Sequence, residues 1–365
     1  MRLVSTTKCQ TGNRLGKPIY NEDGRVLLAA EVELTESMIR RLLEYGIQYV
    51  YIGDPRTDDI VVPELISEET RVRAMSQIRT SFRMVMEESN RRNNPGSLAK
   101  DSKDMLTMII DDLSSHKAAM IMLTDMGVSD HYLYRHSLHV CLLSCMIGMH
   151  IGYNRSDLMA FGLGALLHDI GKTKIPLDLL IKKESLTTKE MDLIKRHCEE
   201  GYLILKDEAN IPLLSAHCAF QHHERIDGSG YPRGIKGDEI HEFAQWIGII
   251  DSFDAMTTHR VYRDTLLPHQ ALEALYTGAG TLYSIDKVRI FRDKVATYPL
   301  GVSVKLHTGE TAVVVDINAT SPHRPVVRVL EDEAGQLVKA PYEIDLSKKL
   351  SVMIVGYSEE IYHIP

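Results

Sequence analysis

The sequence predicts a mainly α protein: a helical bundle flanked by a small N-terminal α+β module and a small C-terminal β domain. Three observations predict it. Apolar residues recur at helical spacing through most of residues 67–298. Alternating, β-branched runs appear only towards the two ends, around Ile19–Ile52 and beyond Pro299. Glycine-rich and Asn/Pro-rich stretches separate the periodic segments.

Residues 1–60 read as the α+β module. Pro18-Ile19-Tyr20, then Asn21-Glu22-Asp23-Gly24, then Arg25-Val26-Leu27-Leu28 form strand, turn and strand. Thr35 is placed to cap a helix through Met38 and Leu43, with Glu33 and Glu36 at its start and Gly46 at its end. Tyr49-Val50-Tyr51-Ile52 is a strand that Gly53-Asp54-Pro55 stops. Residues 61–128 are a helical linker or hairpin, with helices over about 67–90 and 101–126 broken at Asn90–Ser97. Residues 129–298 hold candidate helices at 129–152, 155–171, 187–207, 211–223, 243–258 and 268–278. Gly162 and Gly164 weaken the second of these. Residues 299–365 return to short alternating runs and read as a small β domain.

Bulk properties exclude several function classes. The 365 residues are enough for two or three domains. With 44% hydrophobic and 25% charged residues the chain reads as globular. A formal net charge of -8 argues against binding a nucleic acid polymer, so any anionic substrate needs local positive charge. Cys9, Cys141, Cys145, Cys198 and Cys218 form no CxxC pair and read as reduced thiols, which suits the cytoplasm. The first residues lack the apolar stretch of a secretion signal, and the apolar run at 140–151 is too short to span a membrane.

The helical middle concentrates potential metal ligands: His136, His139, His168-Asp169, His197, His222-His223 and Asp251. Imidazole with carboxylate suits Fe, Mn, Zn, Ni or Co and argues against a thiolate site. Both paired motifs follow apolar runs, so packed helices bring their ends to one point. Neighbouring helical residues point roughly 100° apart, so an adjacent His-Asp pair suits two metals with the carboxylate between them. Lys172 falls on the same face at i+3 and i+4. Singly, each has a plainer reading. His116, His139, His150 and His217 read as ordinary core or surface histidines, and Lys172 alone as a helix-end cation. The ordered set carries the weight.

That set resembles a known family. Ala165-Leu166-Leu167-His168-Asp169-Ile170-Gly171-Lys172 is similar to the HDIGK signature of the HD superfamily of metal-dependent phosphohydrolases. His222-His223-Glu224-Arg225-Ile226-Asp227-Gly228-Ser229-Gly230-Tyr231-Pro232 resembles the defining segment of its HD-GYP branch, and Ile249–Thr257 and Arg260–Arg263 resemble the next two blocks. The likeness covers about residues 129–295. It implies an all-helical HD-type catalytic bundle and hydrolysis of cyclic di-GMP, a bacterial second messenger, to pGpG and onward to GMP. It implies two or three metals, commonly iron or manganese, with His136, His168, Asp169, His197, His222, His223 and Asp251 as ligands and Asp169 bridging. Lys172 matches a lysine beside the attacking water. Arg260 and Arg263 match residues that hold substrate phosphates, and Asp254 is placed to orient a ligand. Tyr231 either walls the site or, with Gly230 and Pro232, meets a partner protein.

Three positions depart from the family pattern. Tyr132 stands where three-metal members carry glutamate, which favours two divalent ions here. His241 and Val261 replace prolines away from the chemistry. The resemblance leaves open a hydrolase of cyclic GMP-AMP, a slow or non-catalytic receptor of cyclic dinucleotides, and an oligomeric assembly.

Overall fold

The computed structural model describes residues 1–21, 25–87, 96–115, 132–182, 184–258 and 266–358. They form two compact units.

The first unit joins the two ends of the chain, Met1–Glu64 and Arg292–Pro365. Near the N-terminus β1 (Arg2–Ser5) pairs antiparallel with β4 (Tyr49–Ile52), and β2 (Ile19–Tyr20) with β3 (Val26–Leu28). Helix α1 (Glu36–Glu44) starts where the sequence places it, because the Thr35 hydroxyl accepts the Met38 N–H. The C-terminal strands are β5 (Ser303–Leu306), β6 (Thr311–Asp316), β7 (Val326–Glu331), β8 (Leu337–Asp345) and β9 (Ile354–Tyr357). They form one antiparallel sheet in the order β8-β7-β6-β5-β9.

Neither end buries its apolar face alone. Leu15, Ile19, Val50 and Tyr51 share a core with Val304, Val313, Val327 and Val329. Burying each such side chain contributes about 1.5–3 kcal/mol relative to exposure. Polar groups stitch the same seam. Leu3 N donates to Gly301 O at 2.9 Å, and the Tyr51 hydroxyl donates to Leu300 O at 3.0 Å. The Arg328 guanidinium grips both Asp59 carboxylate oxygens, at 2.7 and 2.5 Å.

The second unit is helical and runs over Leu65–Lys117 and His131–Phe291. Its helices are α2 (Glu68–Met86), α3 (Ser97–Ser115), α4 (Tyr132–Ile151), α5 (Arg155–Leu167), α6 (Leu177–Leu180), α7 (Thr188–Lys195), α8 (His197–Lys206), α9 (Leu213–Gln221), α10 (Glu242–Thr257), α11 (Pro268–Thr277) and α12 (Ile285–Arg292). Side-chain caps fix several starts: Ser67 for α2, Asn154 for α5, and a Thr187–Glu190 capping box for α7. The residues of α5 from Ala160 to Leu167 are all buried, as are ten of the sixteen residues of α10, which makes these the central helices. Gly162 and Gly164 are contacts rather than weaknesses. A Cβ at Gly162 would lie 2.8 Å from Leu106 Cδ1, and one at Gly164 would lie 2.6 Å from Cys218 Sγ.

Two helix boundaries differ from the sequence reading. The 155–171 segment leaves the α-helix after Leu167 and tightens into a 3₁₀ turn at Ile170–Lys174. The 187–207 segment breaks at Arg196 into α7 and α8. Both breaks fall beside candidate ligands. The C-terminal part of the 101–126 helix and the start of the 129–152 helix lie outside the described residues. Among the described residues no helix is long and apolar enough to cross a membrane.

Candidate metal centre

The histidines reach their places through helix ends. The last carbonyls of a helix have no intrahelical partner. His168 Nδ1 lies 2.7 Å from Ala165 O, His197 Nδ1 lies 2.7 Å from Ile194 O, and His222 Nδ1 lies 3.0 Å from Ala219 O. A carbonyl only accepts, so each Nδ1 carries the proton and each Nε2 presents a lone pair. These bonds fall at the ends of α5, α7 and α9. The sequence reading saw the ligands but not this device.

The Nε2 atoms converge on Asp169. Its Oδ2 lies 3.6 Å from His136 Nε2 and 3.5 Å from His168 Nε2. Its Oδ1 lies 3.4 Å from His197 Nε2 and 3.8 Å from His222 Nε2. The two carboxylate oxygens thus face two different histidine pairs. Asp251 joins the first pair, with Oδ1 3.0 Å from His136 Nε2. His223 sits at the edge, its Nδ1 3.9 Å from Asp251 Oδ2.

Asp254 lies one turn along α10 and braces α4. Its Oδ2 accepts from His136 Nδ1 at 2.6 Å and its Oδ1 from His139 Nδ1 at 3.2 Å. His139, which reads in the sequence as an ordinary core histidine, belongs to this network. Lys172 Nζ lies 2.5 Å from Asp169 Oδ2. The i+3 reach survives the loss of α-helix because a 3₁₀ turn brings i and i+3 together.

The electrostatics suit cation binding. Burial pushes His168, His222 and His223 below the usual imidazole range, and His197 down to about 4. Burial also opposes charge on Asp169 and Asp251. It is outweighed by Lys172 and the histidines at Asp169, and by His136 and His223 at Asp251, so both carboxyls fall well below their ordinary range. For His136, burial is outweighed by hydrogen bonds to Asp251 and Asp254, and its pKa rises.

The neutral imidazoles of His168, His197, His222 and His223 beside ionised carboxylates are the donor set of a divalent transition metal. Two buried atoms aimed into the cluster, His168 Nε2 and Asp169 Oδ1, have no hydrogen-bond partner. Such atoms are costly unless something binds them. The residues therefore fit a metal centre, with His136, His168 and Asp251 on one side and His197, His222 and His223 on the other.

The sequence points to nitrogen and oxygen donors alone, and a sulfur also lies beside them: Cys198 Sγ is 3.6 Å from His197 Nε2 and groups with His197, His222 and His223. A lone cysteine following a histidine carries no spacing signal, so sequence patterning passes over it.

The loop after His223 packs onto the cluster. The Tyr231 ring lies 4.7 Å from the His223 ring, tilted by 31°, and Lys195 Nζ lies 5.4 Å from the Tyr231 ring centre. Glu224, to which the sequence reading gave no role, holds the loop. Its carboxylate accepts the Arg233 N–H at 2.8 Å and the Ile235 N–H at 3.2 Å. Gly230 must be glycine, because a Cβ would fall 2.3 Å from Arg225 N and 2.5 Å from His223 O. Arg260, Arg263, Val261 and His116 lie outside the described residues, as does the side chain of Tyr132.

The comparisons with known proteins agree with this geometry. Residues 108–286 match the family described as HD domain, and residues 303–363 match that described as KOW domain associated with HD domain. Residues 108–286 thus carry an HD domain, and their His222–Pro232 segment is similar to the defining segment of the HD-GYP branch. A cyclic di-GMP phosphodiesterase of Pseudomonas aeruginosa, PA4108, is 30% identical over 66% of this chain and 59% of its own length. A cyclic di-GMP phosphodiesterase of Thermotoga maritima is 35% identical over 53% of this chain and 52% of its own length. The chain thus spans only about half to three-fifths of these relatives. Bd1817 of Bdellovibrio bacteriovorus, described as an HDG"Y"P protein, shares the fold. Its TM-score is 0.51 at 18% identity, covering 80% of this chain and 98% of that one.

Proposed function

We infer that this chain is a metal-dependent phosphodiesterase that hydrolyses cyclic di-GMP to pGpG and onward to GMP. The observation that carries the reading is Asp169, whose two oxygens face separate histidine pairs. That is the arrangement of a carboxylate shared by two ions. The names of the relatives supply the substrate class. Two divalent ions, iron or manganese, would be held by His136, His168, Asp169 and Asp251 on one side and by Asp169, His197, His222 and His223 on the other. When bound, such ions supply Lewis acidity to a water and to the phosphodiester.

The chain's own groups do the rest. Asp254 fixes the tautomer and direction of His136 through their 2.6 Å contact. The backbone carbonyls at Ala165, Ile194 and Ala219 do the same for three further rings. Lys172 brings an ammonium beside Asp169, where it offsets phosphate charge and hands a proton to the leaving 3′ oxygen. Arg260 and Arg263 hold substrate phosphates by paired N–H donors. Tyr231, lying on His223, forms a wall of the site. The five free cysteines suit a cytoplasmic enzyme.

The test is chromatographic. Protein purified without oxygen is loaded with Fe(II) or Mn(II) and mixed with cyclic di-GMP and, separately, with cyclic GMP-AMP. Formation of pGpG or GMP by the intact chain, and none by the His168→Ala/Asp169→Ala variant, supports the reading. Cleavage of cyclic GMP-AMP alone reassigns the substrate. Binding without cleavage in either metal overturns the enzyme reading in favour of a receptor.

A further inference from the structure

Cys198 is a buried thiol that the reading above leaves without a task. It follows His197 on the first turn of α8 and is inaccessible to solvent. Its Sγ and the ligand atoms of His197, His222 and His223 all lie within 4.8 Å of one another. A second observation points to a ligand at the same spot. Asp169 Oδ1, fully buried and without a hydrogen-bond partner, lies 3.4 Å from His197 Nε2.

The separations can be compared with those an ion imposes. Metal–nitrogen or metal–oxygen bonds of about 2.1 Å and a metal–sulfur bond of about 2.3 Å define a tetrahedral site. At tetrahedral angles these bonds set two N or O ligands about 3.4 Å apart and an N and an S ligand about 3.6 Å apart. Observed are 3.3 Å between the Nε2 atoms of His197 and His222, 3.4 Å from His197 to Asp169, and 3.6 Å from His197 to Cys198 Sγ. The 3.3 and 3.4 Å separations are longer than good hydrogen bonds between nitrogen and nitrogen or oxygen, and the 3.6 Å contact to sulfur matches both a thiol hydrogen bond and a shared ion.

We propose that Cys198 is a thiolate ligand of the ion held by His197, His222, His223 and Asp169. The inference rests on the reading of this cluster as a metal centre and deepens it. The two metal positions then differ in kind. The one at His136, His168 and Asp251 offers only nitrogen and oxygen. The one at His197 and His222 adds a soft sulfur, which favours iron, cobalt or zinc over manganese or magnesium. On binding, the thiol proton is released to solvent as the sulfur–metal bond forms.

The full-length chain, stripped of metal and reconstituted with Co(II) under argon, tests this by absorption and metal content. The expected result is a near-ultraviolet sulfur-to-cobalt charge-transfer band in the intact protein and in the Cys9→Ser control. The band disappears in Cys198→Ser and Cys198→Ala while cobalt remains bound. X-ray absorption on the intact cobalt protein covers the case of a variant that does not fold, and it should show a sulfur scatterer at about 2.3 Å. Cobalt bound with neither band nor sulfur scatterer overturns the thiolate ligand and leaves the metal centre standing. A band that survives in Cys198→Ser also overturns it. No cobalt bound by the intact chain overturns the metal-centre reading itself.

Discussion

Replacing Gly171 by alanine tests whether backbone packing sets the metal geometry. An ideal Cβ at Gly171 would stand 1.9 Å from His197 O, 2.5 Å from Gly201 N and 2.9 Å from His197 C. These are backbone atoms, which cannot swing aside like a long side chain. Ordinary contact begins at 3.4 Å, so the 3₁₀ turn after Asp169 and the start of α8 must part by about 1.5 Å. His197 moves with its backbone and leaves Asp169 and His222, now 3.4 and 3.3 Å from its Nε2. Overpacking of this kind costs about 1–3 kcal/mol, and the unyielding neighbours put the figure at the upper end. A 1 Å misplacement in a catalytic site costs about a hundredfold in rate. Gly171→Ala should therefore lower the thermal midpoint by several degrees, lose much of the metal on the His197 side, and turn over at least about a hundredfold more slowly. Gly356→Ala, where a Cβ meets nothing within 4 Å, is the control. Metal content by mass spectrometry and initial rates measure the outcome. Folded Gly171→Ala with full metal and a rate within about tenfold of the intact chain would refute the reasoning.

Other perturbations separate the parts of the account. Asp254→Asn keeps the shape but weakens the anionic acceptor that holds His136 and His139, so metal affinity should fall about 10–100-fold in a competition titration. Undiminished affinity would remove its orienting role. Glu224→Ala strands the Arg233 and Ile235 N–H groups and should destabilise the chain by about 1–3 kcal/mol in urea. It should also raise KM more than it lowers kcat, since Tyr231 loses its support, and an unchanged KM would detach the loop from the substrate. Leu15→Ala, in the core shared by the two chain ends, should cost about 2–5 kcal/mol without changing metal content. A cost under about 1 kcal/mol would show that the shared core contributes little.

Much of the helical unit was legible because its signals are local. His168-Asp169 and His222-His223 each close an apolar helical run, and helix packing brings such ends together. The cap at Thr35 lies three residues from its partner. What stayed hidden is long-range or unpatterned. His139 looks like any core histidine until Asp254, on another helix, is placed against it. The break at Arg196 has no proline or glycine to announce it, and there the Ile194 carbonyl meets the His197 ring and the Arg196 N–H. Cys198 belongs to no spacing motif. Nothing in the strand patterns of residues 1–60 or 299–365 says that the two modules complete one core, since contacts such as Tyr51 with Leu300 join residues 249 positions apart.

The central claim is that Asp169 is shared by two ions and that both are needed for turnover. The direct measurement is a metal titration of the stripped protein under argon, with cyclic di-GMP hydrolysis followed at each addition. The account predicts that the rate rises to a plateau at two equivalents of Fe(II) or Mn(II) per chain, and that Asp169→Asn gives no plateau at any loading. Full turnover at one equivalent, or in the stripped protein, would contradict it.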